Sequence, residues 1–170
     1  MNKKLDHDEF LAAYEAYAEA IYRHCFFKVF SKERAQDLMQ ETFMKTWQYL
    51  CEGKKVENIR AFLYRVANNL IIDAARKKKE ESLEDLMEAA KAMEPSYEGE
   101  KAIQSSAMIS QMKEVMLTLP DEYREVLTLR YIDDLDPKEI AHILGISPNN
   151  VSVRLNRATK ALKGHFDEPT

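Results

Sequence analysis

The sequence contains few of the residues that interrupt helices or cross-link a chain. Its 170 residues include only four glycines, five prolines and two cysteines. This scarcity, together with many alanine, leucine, lysine, glutamate and methionine residues, favours an all-α fold. Cys25 and Cys51 lie far apart and fit neither a CxxC motif nor a disulfide framework, so we expect two buried, reduced cysteines.

Long apolar runs are also missing. None approaches the length of a membrane span, and the N-terminal segment MNKKLDHDEF is charged where a signal peptide requires an apolar core. These absences predict a cytoplasmic protein that does not insert into a membrane.

The sequence shows no pattern for catalysis or metal binding. The four histidines lack metal-ligand spacing, and there is no glycine-rich phosphate loop and no nucleophile with a nearby base. We therefore expect no metal, no cofactor and no enzymatic activity.

The charges are distributed unevenly along the chain. Residues 1–79 carry a net charge of +4, residues 80–125 carry −8 and residues 126–170 are neutral, which gives −4 for the whole protein. Because the acidic residues are concentrated in the middle, the two ends are the candidates for contact with nucleic acid.

Apolar residues recur at helical spacing in both ends of the chain. Residues 1–79 show three such stripes, with Ser31 and Asn58 placed to cap the second and third helices, and predict one helical domain. The pattern weakens in residues 80–106, which are predicted to form an acidic flexible linker with transient helix. Residues 107–170 predict a second small helical domain, and its apolar stripe includes Tyr123, Val126, Leu127 and Tyr131.

Residues 136–164 carry the most specific pattern, two short capped helices joined by a tight turn. Asp136 can cap the first helix, with Pro137 at its first position and Glu139 completing a capping box. Gly145 can end this helix in a left-handed conformation, and Ser147 can cap the second helix. The pattern predicts a helix-turn-helix, a motif that places its second helix in the major groove of DNA.

The second helix of this motif separates apolar from polar residues. At about 100° per residue, one face gathers Val151, Leu155, Ala158 and Leu162 and is predicted to be buried. No acidic residue and four cations lie between Gly145 and Phe166. Asparagine and arginine pair with adenine and guanine edges, so the polar face is a candidate DNA-reading surface. The alternative is a solvated face of a hairpin that binds no DNA. The candidates are Asn149, Asn150, Val153, Arg154, Asn156, Arg157 and Lys160.

A second cationic region lies on and before the third predicted helix. Its cations are Lys54, Lys55, Arg60, Arg65 and the run Arg76–Lys79. Tyr64, Asn68 and Asn69 are interleaved with them, and single-stranded bases need such side chains for stacking and edge hydrogen bonds. The alternative is structural, because lysines at a helix C-terminus complement the dipole and Tyr64 is also suited to the core.

These segments resemble those of a bacterial sigma factor of the extracytoplasmic-function (ECF) group, within the principal sigma family. AQDLMQETFMKTWQYL resembles the region 2.2 helix, and IRAFLYRVANNLIIDAARKKK resembles regions 2.3 and 2.4. LPDEYREVLTLRYIDDLDPKEIAHILGISPNNVSVRLNRATKAL is similar to region 4. The resemblance extends from about Phe10 to Lys163, with a short linker in place of region 3.

The resemblance implies a protein that joins core RNA polymerase and directs it to particular promoters. The helix Asp37–Lys45 is by itself typical of an ordinary surface helix. In the family this helix would dock on the polymerase β′ clamp, and the protein as a whole would also contact the β flap. The docking residues of the helix would be Asp37, Gln40, Glu41 and Lys45.

The resemblance also implies two promoter contacts. The loop at 51–58 and the helix after it would capture the −10 element as a single strand, through Lys54, Lys55, Arg60, Tyr64, Arg65, Asn68, Asn69, Arg76 and Lys77. Asn69 falls where the family places an asparagine that contacts a flipped-out base. The helix at 147–160 would read the −35 element as a duplex, with Ser147 and Ser152 added to the residues above. The linker would lie in the polymerase channel that later holds RNA.

The recognition helix departs from the common family pattern S-x-G-T-V-K-S-R-L. Asn149 and Asn150 stand where Gly-Thr is common, and Ser152 and Val153 stand where Lys-Ser is common. The −35 sequence is therefore not inferred from relatives. The family usually has an inhibitory anti-sigma factor, but these residues do not identify one. Two alternatives stay open: a stand-alone helix-turn-helix regulator, and a helical interaction protein that binds no DNA, such as an antagonist of other sigma factors.

Overall fold

The computed structural model describes the backbone of residues 7–81 and 100–167, and the side chains of residues 7–78 and 107–167. The described elements are α1 (His7–Val29), α2 (Lys32–Cys51), α3 (Ile59–Glu81), α4 (Glu100–Thr118), α5 (Asp121–Leu127), a π-helical turn (Thr128–Ile132), α6 (Pro137–Leu144) and α7 (Pro148–Asp167). The described residues contain no strand, and the predicted all-α class is confirmed.

Helices α1, α2 and α3 pack against one another and form the N-terminal unit. Ser31 begins α2 by accepting a hydrogen bond from the Arg34 N–H at 3.3 Å. Asn58 begins α3 by accepting one from the Ala61 N–H at 3.0 Å. Both caps are as predicted. The apolar side chains of this unit with no exposed surface are Ile21, Cys25, Ala35, Leu63 and Ala67.

The start of α6 is fixed by the predicted capping box. The Asp136 carboxylate accepts a hydrogen bond from the Glu139 N–H at 2.9 Å. The Glu139 carboxylate in turn accepts one from the Asp136 N–H at 2.9 Å. Two backbone donors that would otherwise lack a partner are thus satisfied at the helix N-terminus.

The turn between α6 and α7 confirms the helix-turn-helix. Gly145 has a φ of 66° and its N–H bonds to the Ala141 carbonyl, so α6 ends in a left-handed residue. The Ser147 hydroxyl accepts a hydrogen bond from the Asn150 N–H at 3.1 Å and begins α7. The buried side chains of Ala141 and Val151 are small enough for the two helices to approach closely.

Between α5 and α6 the chain makes one wider helical turn. The Asp133 N–H donates to the Thr128 carbonyl, five residues earlier, at 3.0 Å, and this spacing defines a π turn. Leu129 and Asp133 are buried, whereas Tyr131 is 67% exposed. The predicted apolar stripe is therefore wrong at Tyr131, because a period of about 3.6 residues does not continue through a π turn.

Helices α5, α6 and α7 and the π turn form the C-terminal unit, which packs directly on the N-terminal unit. Helix α6 contacts α3, and the π turn contacts α1. Within the segment predicted as a linker, residues 80–106, the described part is helical: α3 continues to Glu81 and α4 begins at Glu100. Residues 100–118 contain no glycine or proline that would interrupt a helix. Residues 82–99 of the predicted linker lie outside the described residues.

The expectation of two buried cysteines holds only for Cys25. Burial and the charge of Asp133 raise the pKa of the Cys25 thiol to about 12. Cys51 is exposed, because it is the last residue of α2 and borders the polar loop. Among the helices described, none is long and apolar enough to cross a membrane.

We expect Gly145→Ala to lower the free energy of unfolding by about 1 kcal/mol. The reason is conformational, since an added Cβ would meet nothing within 4 Å but alanine disfavours a φ of 66°. The matched control is Gly164→Ala in the last turns of α7, where an added Cβ also meets nothing within 4 Å. Alanine there should raise the free energy of unfolding by about 0.5–1 kcal/mol. Urea unfolding followed by circular dichroism measures both, and stabilisation by Gly145→Ala would contradict the left-handed turn.

Candidate nucleic-acid and partner interfaces

One face of α2 carries the four residues predicted to bind the polymerase. Asp37, Gln40 and Lys45 are exposed, and the Glu41 side chain retains 44% of its exposure. The Lys45 ammonium lies 3.7 Å from the Glu41 carboxylate, one turn away. Met44 lies within this face and is 55% exposed. The α2 face is therefore a mixed polar and apolar surface that is open to a partner.

Helix α3 presents a second exposed surface. Arg65, Asn69, Ile72 and Arg76 recur at spacings of four, three and four residues, and all four are exposed. We call them the exposed stripe of α3. The Arg76 guanidinium donates to Asp73 at 2.8 Å, a bond between exposed groups that water can replace. The stripe thus places an amide, which can donate and accept, between two cations.

The loop between α2 and α3 extends this surface with a lysine beside a pair of tilted rings. The Lys54 ammonium lies 4.9 Å from the centre of the Tyr49 ring, and that ring lies 4.8 Å from the Phe62 ring. A hydrogen bond and an ion pair with Glu52 raise the pKa of Lys54. Lys55 is exposed beside it. The loop therefore offers cations next to aromatic rings, as a single-stranded nucleic acid requires.

The remaining residues predicted for the −10 element lie on a different face of α3. Arg60, Tyr64 and Asn68 recur every four residues and point toward the C-terminal unit, and we call them the covered face of α3. Tyr64 is 1% exposed and Asn68 is 6% exposed. The Arg60 guanidinium lies 3.3 Å from the Glu139 carboxylate and donates to the Asp133 carbonyl at 3.3 Å. The structure thus divides the predicted set between an exposed and a covered face.

A line of three hydrogen bonds, two of them buried, links α1 and the covered face of α3 to the C-terminal unit. His24 of α1 bonds through Nδ1 to the Asp133 carboxylate at 2.7 Å and through Nε2 to the Asn68 Oδ1 at 2.8 Å. The Asn68 Nδ2 then donates to the Glu125 carboxylate at 3.2 Å. His24, Asn68 and Asp133 are all buried. We call these four residues the His24 line.

The surroundings of the His24 line are rich in titratable groups. The Tyr64 ring packs edge-on against His24 at 5.2 Å. Burial, and next the charge of Asp133, raise the pKa of the Tyr64 hydroxyl. Burial lowers the pKa of Lys28, while Glu125 and Asp133 act in the opposite direction. Asp133 Oδ1 is the one buried side-chain polar atom without a hydrogen-bond partner among the described residues. The interface is therefore polar and densely charged.

The second helix of the helix-turn-helix, α7, presents its polar face to solvent. Val151 and Ala158 are fully buried, as predicted for the inner face. Arg154 is half-buried, and its guanidinium lies 3.8 Å from the Glu122 carboxylate of α5. Val153 is 40% exposed. The other predicted −35 residues are exposed: Ser147, Asn149, Asn150, Ser152, Asn156, Arg157 and Lys160.

Sequence reasoning missed the residues that join the two units. Asp133 and Glu125 were not singled out, Glu139 was considered only for the capping box of α6, and His24 was considered only as a metal ligand. His24 lies 109 residues from Asp133 and 44 residues from Asn68 along the chain. No local pattern reports a contact over such separations. Among the described residues, no group of three or more histidine, cysteine, aspartate or glutamate side chains is placed to hold a metal.

Two family models match the chain. The Sigma-70 region 2 family matches residues 13–81, and the Sigma-70, region 4 family matches residues 109–162. The region 2 match contains the α2 face and both faces of α3. The region 4 match contains the turn of the helix-turn-helix and its predicted DNA-reading residues.

The chain is also similar to curated proteins over nearly its full length. It is 35% identical over 159 residues to the ECF RNA polymerase sigma factor SigM of Bacillus subtilis, covering 91% of this chain and 93% of SigM. It is 31% identical over 169 residues to the ECF RNA polymerase sigma factor SigW of the same organism, covering 95% of this chain and 90% of SigW.

Solved structures share the fold. CnrH, determined in complex with the cytosolic domain of CnrY, superposes with a TM-score of 0.74 at 19% identity, covering 97% of this chain and 92% of CnrH. The sigma factor RpoE from Bartonella quintana, determined with the anti-sigma factor NepR, gives 0.71 at 20% identity, covering 96% and 99%. With the helical architecture, both family matches and the identity to SigM in agreement, the chain belongs to the ECF sigma factors and is an RNA polymerase sigma factor.

Proposed function

We propose that this sigma factor contacts a promoter at two points while it is bound to core RNA polymerase. Residues 1–79 would hold the polymerase and the −10 element, and residues 107–170 would hold the −35 element. The observation that carries the proposal is the pairing of two exposed, DNA-suited surfaces on separate helical units. One is the exposed stripe of α3 with its adjoining loop, and the other is the acid-free face of α7.

The α2 face is proposed to dock on the polymerase β′ clamp, and the protein is proposed to contact the β flap of the polymerase as well. Asp37, Gln40, Glu41 and Lys45 supply polar and charged contacts, and exposed Met44 supplies an apolar centre. An apolar centre with a polar rim is the usual anatomy of a protein interface. Docking on a polymerase requires no catalytic side chains, so we propose a binding protein without catalytic activity of its own.

Single-stranded capture of the −10 element is proposed for α3 and the loop before it. Extruding a base from the duplex costs a few kcal/mol, which new contacts must offset. Asn69 presents an exposed amide between Arg65 and Arg76, and Lys54 and Tyr49 offer charge and stacking nearby. Amide hydrogen bonds to base edges, ring stacking and phosphate contacts together supply that compensation.

Helix α7 is proposed to read the −35 element as a duplex. Its N-terminus directs backbone N–H groups and the positive end of the helix dipole toward a phosphate. Asn149, Asn156 and Arg157 can reach base edges from the exposed face, and Val153 can contact a thymine methyl group. The ion pair with Glu122 orients Arg154 at the edge of this surface. We also propose an anti-sigma factor as a regulatory partner, since the sigma factor RpoE of Bartonella quintana was determined with the anti-sigma factor NepR.

Purified protein with core RNA polymerase should start transcription at a small set of genomic promoters. Asp37→Lys should weaken binding to the core enzyme at least about tenfold, because it reverses a charge on the α2 face. Glu19→Lys, an exposed change on α1, is the control and should bind as the wild type does. Co-purification at moderate salt and mapped start sites measure the outcome. A specific footprint by the protein alone, with no binding to core polymerase, would instead indicate a stand-alone regulator.

Asn69→Ala should reduce promoter opening about tenfold while leaving duplex binding nearly unchanged, since an amide that meets an extruded base acts only after strand separation. Gln111→Ala is the control, because it removes an exposed amide from α4, which carries none of the proposed promoter residues. Permanganate reactivity of unpaired thymines reports opening, and a mobility shift reports duplex binding. Equal losses in both assays for Asn69→Ala would exclude the single-strand role.

Arg157→Ala should lower discrimination between −35 sequences by about 1–3 kcal/mol at the base pair that it contacts. The control Lys163→Ala removes an exposed cation from the last turns of the same helix. This control should weaken DNA binding similarly for all −35 sequences and make that binding less dependent on salt concentration. Transcription from templates with single −35 substitutions gives the comparison. Wild-type selectivity in Arg157→Ala would remove this residue from the reading surface.

A further inference from the structure

The contact between the two units buries part of the surface proposed to meet the −10 element. Tyr64 and Asn68 of the covered face are almost completely buried, and Arg60 is held by Glu139 and by the Asp133 carbonyl. An extruded base cannot reach Tyr64 or Asn68 while α6 and the π turn lie on α3, and the side chain of Arg60, which is 33% exposed, is engaged by the C-terminal unit. We call this arrangement the closed conformation.

The His24 line has a defined direction of hydrogen bonding. A carboxylate only accepts, so Glu125 fixes the Asn68 amide with Nδ2 toward Glu125 and Oδ1 toward His24. Because Oδ1 only accepts, the His24 Nε2 must donate. On the other side of the ring, Nδ1 is hydrogen-bonded to the Asp133 Oδ2 at 2.7 Å. Each group therefore depends on the next, from α5 through α3 and α1 to the π turn.

The chemistry of this contact suits an interface that opens and closes. In the closed conformation the ring nitrogens of His24 and both polar atoms of the Asn68 amide have partners. On separation, water can take the place of each partner, which an apolar core of the same area would not allow. Removing one member while the contact stays closed leaves a buried group unsatisfied, and this favours the open state.

We propose that His24, Asn68 and Asp133 form a latch that keeps the free protein closed and its −10 surface incomplete. The Asp133 carboxylate is the C-terminal unit's half of the latch, and His24 with Asn68 is the N-terminal half. The latch must open before Arg60, Tyr64 and Asn68 can join the exposed stripe of α3. This consequence for promoter capture rests on the proposed function, whereas the latch itself concerns the free protein.

Single-molecule energy transfer in the full chain tests the latch. One dye is placed on Cys51, which is exposed, and the other on Lys163→Cys, an exposed position of α7. Cys25 stays unlabelled because it is buried with a pKa of about 12. The wild-type labelled protein should give one dominant high-transfer population.

Three variants around the π turn separate the latch from general effects. Asp133→Ala removes the partner of His24 Nδ1 and should raise the ratio of open to closed protein about tenfold or more. Asp133→Asn should stay closed, because its amide N–H can donate to Nδ1 of a neutral imidazole. Asp134→Asn is the neighbouring control, since Asp134 is exposed and asparagine tolerates its φ of 54°.

Asn68→Ala breaks the same line from the N-terminal side and should also favour the open population. Circular dichroism establishes that each variant retains its helices, and if Asp133→Ala loses helix content then Asn68→Ala decides the result. The latch proposal would be overturned if Asp133→Ala and Asn68→Ala both fold and both stay as closed as the wild type. An open Asp134→Asn protein would overturn it too, because the effect would then follow charge near the π turn.

Addition of core RNA polymerase to the labelled wild type separates the latch from the proposed function. A shift to the open population on binding is the expected result. Failure to bind the polymerase would contradict the proposed function and leave the comparison of variants in the free protein intact. Binding with the closed population unchanged would overturn the requirement that the latch open in the polymerase complex.

Discussion

The arrangement of this protein depends on a buried histidine that is bonded on both sides. His24 reaches Asp133 at 2.7 Å and Asn68 at 2.8 Å, and so connects α1 to the π turn and to α3. Asp133 reaches the ring because the π turn gives the chain one wider turn before α6. A buried donor or acceptor without a partner is costly, so this line fixes how the two helical units lie together.

The same contact gives α3 two different surfaces. The exposed stripe with Arg65 and Asn69 remains open to solvent, while the covered face with Tyr64 and Asn68 packs under the C-terminal unit. Helix α7 keeps its polar face free, and α2 keeps its partner surface free, in the same arrangement. In this conformation the packing between the units therefore buries part of the proposed −10 surface, whereas the α2 face and the polar face of α7 stay exposed.

Local features of this fold were predictable because their causes are local. The caps at Ser31, Asn58 and Asp136 and the left-handed Gly145 each involve residues at most four positions apart. The buried sides of α2 and α7 follow from apolar spacing along a single helix. The predicted burial was wrong at Tyr131, where the helical period changes within the π turn. It was also wrong at Cys51, where α2 ends.

The sequence by itself determined the helices, their caps, the helix-turn-helix and the family, since these depend on neighbouring residues and on the order of recognisable segments. It also marked Arg60, Tyr64 and Asn68 as polar or aromatic residues in a basic helix. Only the tertiary structure decided that these three are covered while Asn69 is not. The physical reason is that burial is set by what packs on a helix, and here the covering residue Asp133 lies 109 positions from its partner His24.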